Sequence, residues 1–345
     1  MTQPTHTSRP RTRSRIAGLI LTAVFFAIIG VTVMQFGVEF LGYYGFGLFL
    51  GLPFLGGVSF ALLRFGRFED PDVIHTKSDT LLFAVADFVL FTTAILGTFI
   101  AVLLLCNLEG IVCVLMALPI AVPLAAMGVG IGHAMLYGST LLCNSQGARR
   151  LVILLGAAIL LGGMTVEPQL LDHPPLRKVV TAVEVRGDIQ DVWDTVIAFP
   201  EITAPPTGIL AWGIAYPIAA EIEGSGVGAI RRCRFNTGDF VEPITAWEEP
   251  YRLAFDVTEN PVPMTEIGLY DSVDPPHLHG FMISERGQFR LQELPDGRVL
   301  LEGTTWYHHD LWPNFYWGFL SDQIIHRIHL RVLDHIKASV EGPTA

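Results

Sequence analysis

The rhythm of apolar positions changes once along the chain, near residue 166. Before that point apolar residues run on with no polar face. Residues 16–38 are apolar apart from Gln35, and at 1.5 Å per residue such a run crosses a hydrocarbon core of about 30 Å. Further runs at 43–63, 80–106, 111–136 and 151–166 predict five transmembrane helices, the last the shortest. Residues 167–178, with Pro168, Pro174 and Pro175, read as a linker. Beyond it the pattern alternates. Residues 179–186 predict a strand, and Asp188 is placed to cap a helix carrying Ile189, Val192, Trp193 and Val196. Strands follow at 229–235, 240–247 and 251–257, with a turn at Asn236–Asp239. A Pro-rich segment at 260–276 interrupts them. A hairpin at 281–308 turns at Pro295-Asp296-Gly297, and a long helix at 313–340 ends the series.

Charge sharpens this division. The chain is 51% hydrophobic and only 16% charged, against about 25% charged in ordinary soluble domains. Residues 1–166 hold 9 Lys+Arg and 7 Asp+Glu, whereas residues 167–345 hold 13 and 26, a net of 13 minus 26, or −13. So acidic a domain repels phosphate backbones, and no nucleic-acid partner is expected. Cys106, Cys113, Cys143 and Cys233 lack paired metal-ligand spacing.

Residues 1–15 form a basic tail with Arg9, Arg11, Arg13 and Arg15. The apolar run behind it exceeds the 7–15 residues or so of a signal-peptide core, so the first span is expected to stay uncleaved. Arg64, Arg67 and Lys77 follow the second run and Arg149 and Arg150 precede the fifth, while the alternate connections lack basic residues. Basic residues accumulate on the cytoplasmic side. Five crossings then put the C-terminal domain outside the cytoplasm, and a re-entrant fifth segment would leave it inside. Asp87 and His133 are ionisable residues within spans, expected near one another on the third and fourth helices. Pro119 and Pro123 lie in the fourth, and glycines suited to close helix packing recur throughout.

The order of strand, helix, antiparallel strands and long final helix is similar to the START-like helix-grip superfamily, also called SRPBCC. The segment VEVRGDIQDVWDTVIAFPEI resembles its opening strand and helix, and GSGVGAIRRCRFNTGDFVEPITAWEEPYRLAFDV resembles the central hairpins of polyketide cyclase/dehydrase-type members. The resemblance covers residues 179–341. It implies a curved antiparallel sheet wrapped on the last helix, around an apolar cavity that resembling proteins use for lipids, sterols or polyketides. The expected fold is therefore a transmembrane bundle of about five helices joined to an α+β helix-grip domain.

Candidate cavity residues follow from helical and strand periods. Ile328 and His335 fall on the apolar face of the last helix with Leu320, Ile324, Ile325, Val332 and Ile336, whereas His329 lies at its edge and His326 points away. Arg231 shares a strand face with Cys233 and Phe235. Turned inward it needs a carboxylate such as Glu302 or Glu266, and a solvated Arg231 is the other reading. His279, Trp306 and Tyr307 complete the candidates, and the pattern leaves open whether Glu302 and Trp306 or Tyr307 faces inward. Among the histidines, His326 and His329 are one turn apart and His277-x-His279 is strand-like, a permissive geometry for a metal to which His308 or His309 could add, but no Cys or Asp completes a set, so neither metal nor cofactor is expected. No nucleophile constellation stands out. A membrane-anchored binding or transport module for a hydrophobic small molecule or lipid is the first reading. The alternative is a cyclase- or hydrolase-type enzyme using Arg231, Glu266, His279, Glu302 and His335 in the same cavity.

Overall fold

The computed structural model describes residues 10–64, 77–138, 145–171 and 174–342. Five N-terminal helices are present: α1 (Pro10–Gln35), α2 (Leu52–Arg64), α3 (Lys77–Leu105), α4 (Ile111–Gly138) and α5 (Gln146–Leu170). A π-helical turn, Phe36–Phe40, extends α1, and another, Gly47–Gly51, leads into α2. Among the described residues, four stretches are long and apolar enough to cross a membrane: Ile20–Phe40, Phe88–Leu105, Ile111–Leu136 and Gln146–Leu170. The short one is Gly47–Leu63, not the fifth. Hydropathy alone truncates α5, because its first turn is polar, capped by the Ser145 hydroxyl accepting from Ala148 N at 3.1 Å, and its last runs through Glu167 and Pro168 into the stretch read as linker.

Small residues hold α2 against α4. A Cβ on Gly128 would stand 2.1 Å from the Phe54 carbonyl oxygen, and one on Gly57 would stand 2.4 Å from that of Ala125. Gly132 likewise would meet the Ala61 Cβ at 2.6 Å. The backbones thus approach as only glycine permits, the usual basis of helix association in lipid. Phe60, Ala61 and Leu62 are fully buried there. Near the end of α5, the Glu167 carboxylate accepts from the backbone N–H groups of Phe46 and Gly47, satisfying donors at the start of the Gly47–Gly51 turn. The side chain of Asp87 lies outside the described residues, and with it the expected pairing with His133, which is half-buried on α4.

The C-terminal part is a seven-stranded antiparallel sheet in the order β1-β9-β8-β5-β4-β3-β2, curled around a long helix. Its strands are β1 (Arg177–Arg186), β2 (Pro217–Glu223), β3 (Ile230–Phe235), β4 (Gly238–Glu248), β5 (Arg252–Asp256), β8 (Met282–Glu293) and β9 (Arg298–His309), and β6 (Glu266–Ile267) with β7 (Ser272–Val273) forms a separate small hairpin. Two helices complete it, α6 (Ile189–Ile197) and α7 (Asn314–Glu341). Asp188 caps α6, accepting from Gln190 N at 2.8 Å. This is the helix-grip arrangement. The strand β2 escapes the sequence pattern because Ala219 and Ala220 are both buried although they pair with Arg234 and Cys233 on opposite faces, so its burial does not alternate. One core cluster joins Val192, Trp193 and Val196 of α6 to Leu253, Phe255, Leu301, Leu333 and Ile336.

Candidate functional site

The hairpin β3–β4 sets the site. Phe235 pairs with Gly238, so only two residues form the loop, and paired residue numbers sum to 473 (235 + 238). Arg231 therefore faces Glu242 (473 − 231) across the strands. Reading Asn236–Asp239 as a four-residue turn shifts that register by two and conceals the partner, whereas the shorter turn would have disclosed it. Both residues point inward, Arg231 at 1% exposure and Glu242 at 6%.

Arg231 Nη1 donates to the Glu242 carboxylate, and Nε donates to the Ile197 carbonyl at the end of α6 at 3.1 Å. The guanidinium also lies 5.8, 5.7 and 5.5 Å from the ring centroids of Phe199, Phe255 and Phe289, distances at which ring and cation attract. Burial would lower the Arg231 pKa, but the Glu242 carboxylate overcomes this and holds it raised. Burial raises Glu242, with Arg231 pulling it back. Burial also pushes the Cys233 thiol up to about 12, so it is no nucleophile at neutral pH. Arg231 Nη2 is buried and has no hydrogen-bond partner among the described residues, and the same holds for Trp193 Nε1 and His335 Nε2. Phe199 connects two of these groups, because its ring also meets the His335 ring at 5.6 Å, edge on. Burial lowers the His335 pKa, keeping it neutral at physiological pH. Ile328 packs half-buried against the same core.

Other candidates stand apart. Glu302 and Trp306 occupy the opposite face of β9 from Tyr307: Lys178 and Arg286, both on that outer face, lie over the Trp306 ring at 5.4 and 4.9 Å. Strand alternation forces this, since Leu301 and Tyr307 are fully buried inside. Glu302 is thus not the partner of Arg231. Nor is Glu266, which is fully buried but belongs to the β6–β7 hairpin. His279 is a surface residue with a 54% exposed side chain, bonded through Nε2 to Asp274 Oδ1 at 2.6 Å.

The contact between α7 and β1/β9 carries a polar set beside its apolar one, in which Ile325 packs on Val179 and Leu333 and Ile336 join Val185 and Leu301, and the apolar stripe did not foretell that polar set. His326 does not point away. Its Nδ1 lies 2.7 Å from the Thr181 hydroxyl, which also stands 3.1 Å from His329 Nδ1. Thr305 Oγ1 lies 2.8 Å from His329 Nε2. Burial takes the His329 pKa down to about 4, so the ring is neutral, and hydroxyls satisfy either tautomer. One turn nearer the start of α7, Tyr307 donates to Asp322 Oδ1 at 2.7 Å, and Arg177 binds the same carboxylate through Nε at 3.2 Å and Nη2 at 2.5 Å.

No family model matches the chain, and no curated protein does. Solved structures do resemble its C-terminal half. A truncated norcoclaurine synthase from Thalictrum flavum shares 14% identity, covering 50% of this chain and 99% of its own, with a TM-score of 0.33. An aromatase/cyclase from a Streptomyces species also shares 14%, over 48% of this chain and 94% of its own, at 0.31. A protein from Nitrosospira multiformis shares 18%, over 48% and 96%, at 0.30.

Proposed function

We propose that the chain is a membrane-anchored binding or transport module that holds a hydrophobic small molecule or lipid inside its helix-grip domain, and that this domain is of the SRPBCC, polyketide cyclase/dehydrase-like type. The observation that carries the reading is the inward Arg231, walled by Phe199, Phe255 and Phe289 and retaining a buried N–H group without an acceptor among the described residues. Apolar walls with few placed polar groups suit a largely hydrophobic ligand that carries an oxygen acceptor. Trp193 Nε1 and His335 Nε2 are further buried polar atoms within the same core. A ligand oxygen reaching any of them would offset the cost of leaving it unpaired.

A cyclase- or hydrolase-type activity is the second reading, favoured by the neutral His335 imidazole, which has a free ring nitrogen suited to proton transfer. Native mass spectrometry of the full chain, released from lipid nanodiscs, tests both. A binding module retains a hydrophobic molecule unchanged on incubation, an enzyme converts it, and a chain that holds only nanodisc lipid in its membrane half sinks both readings. The domain is further proposed to lie outside the cytoplasm, on the alternation of basic connections and on Gly47–Leu63 crossing despite its length. Strong signal from a cytoplasm-only reporter fused after Ala345 would contradict that.

A further inference from the structure

The start of α7 carries an apolar surface that the binding reading does not use. Residues Trp312 to Leu320 contain no charge and five aromatic residues, within a half of the chain whose net charge is −13. Phe315 and Phe319, four apart and so on one helix face, are 72% and 61% exposed. Aromatic residues concentrate where protein meets the headgroup region of a bilayer.

Chain connectivity determines what covers this face. The span α5 ends at Leu170 and β1 begins at Arg177, seven Cα steps on (177 − 170), so Arg177 lies within about 25 Å of the end of the span. Arg177 in turn is fixed to the first turns of α7. It binds Asp322 through both Nε and Nη2, and a Cβ on Gly318 would stand 2.6 Å from its Cζ. Phe315 and Phe319 therefore flank, on α7, the residue by which the domain joins its tether.

We infer that Phe315 and Phe319 form a lipid-docking face that inserts into the headgroup region of the membrane carrying α5. The chemistry is apolar insertion into a zwitterionic surface, since the acidic domain gains nothing from anionic lipid. This depends on the membrane reading of α5 and not on whether the domain interior holds a ligand.

The test uses the full chain in phosphatidylcholine vesicles, with a photoreactive benzoyl-phenylalanine replacing Phe315 or Phe319 in turn. Tyr251 is the control: it is 53% exposed, and its carbonyl accepts from Leu291 N, at the opposite end of β8 from Met282, which pairs with His309. Phospholipid adducts are expected at 315 and 319 with a yield about tenfold above that at 251, as for a helix face lying in the interface. Equal yields at the three positions, or adducts to a second copy of the chain, would overturn the inference. F315S/F319S, altering only exposed side chains, should retain the same thermal unfolding temperature while its domain becomes more accessible to added protease. An unchanged cleavage rate would also count against docking.

Discussion

The α2–α4 contact and the α7–β1/β9 contact solve the same problem by opposite means. In the membrane half, Gly57, Gly128 and Gly132 let backbones touch, and the nearest atoms a Cβ would meet are backbone atoms and an alanine methyl. In the domain, α7 meets the sheet through Ile325, Leu333 and Ile336 and, beside them, through a hydrogen-bonded set of Thr181, Thr305, His326 and His329 and a second of Tyr307 and Asp322. Lipid offers no hydrophobic gain to helix association, so shape and close contact must supply it. In water the same helix makes the hydrophobic gain through Leu333 and Ile336, which join Leu253 and Leu301 in the core, and its neighbouring positions can carry polar groups provided each finds a partner. The first contact should therefore respond to volume and the second to protonation.

The largest expected effect lies in the domain interior. Glu242→Leu strands the Arg231 charge and should cost about 3–5 kcal/mol in chemical denaturation of the domain, whereas R231M/E242L together should be near neutral. Equal losses in both variants would mean that the pair itself holds the fold. Next is Gly128→Leu, whose added atoms meet the Phe54 backbone. About 3 kcal/mol or more of destabilisation is expected in a detergent unfolding assay, with domain unfolding unchanged. A tolerated leucine would show that α2 and α4 do not pack through glycine.

Acid should then separate the two contacts. His329 and His309 have pKa values lowered to about 4, chiefly by burial. A histidine whose folded pKa lies below its unfolded value of about 6.5 favours the fold above that range and loses its contribution as pH falls from about 6.5 to 4. Hydrogen exchange should accordingly quicken in α7 and β1 over that window while α2 and α4 keep their protection. Loss of protection in α2 at the same pH would erase the contrast. The smallest effect is Tyr307→Phe, which deprives Asp322 of one hydroxyl donor while Arg177 remains, and should cost about 1 kcal/mol.

Much of this architecture is legible in residue patterns because apolar periodicity survives averaging over a whole element. The five apolar helices, the Asp188 cap, the hairpins and α7 are all of that kind. What resists is set by single residues. The Arg231–Glu242 pair depends on whether the β3–β4 loop has two residues or four, a distinction carried by Phe235 and Gly238 alone. On α7 the helical period turns His326 away from the apolar face and leaves His329 at its edge. Both are half-buried and meet the sheet, because threonines on β1 and β9 supply partners that alternation treats as neutral. For Glu302 and Trp306 the strand carries polar and apolar residues on both faces, so only the pairing with β1 and β8 assigns a side.

The double variant R231M/E242L gives the most direct test of the binding role, since it removes the polar handle without leaving a buried charge. The full chain, wild type and variant, should be loaded in nanodiscs with the same hydrophobic extract and compared by native mass spectrometry. The account predicts that the wild type holds one molecule bearing an oxygen acceptor, and that the variant unfolds at a similar denaturant concentration but holds it at least about tenfold more weakly, the loss expected of one buried charged hydrogen bond. Equal retention by the two proteins, with the variant folded, would contradict the assignment of Arg231 as the group that receives a ligand.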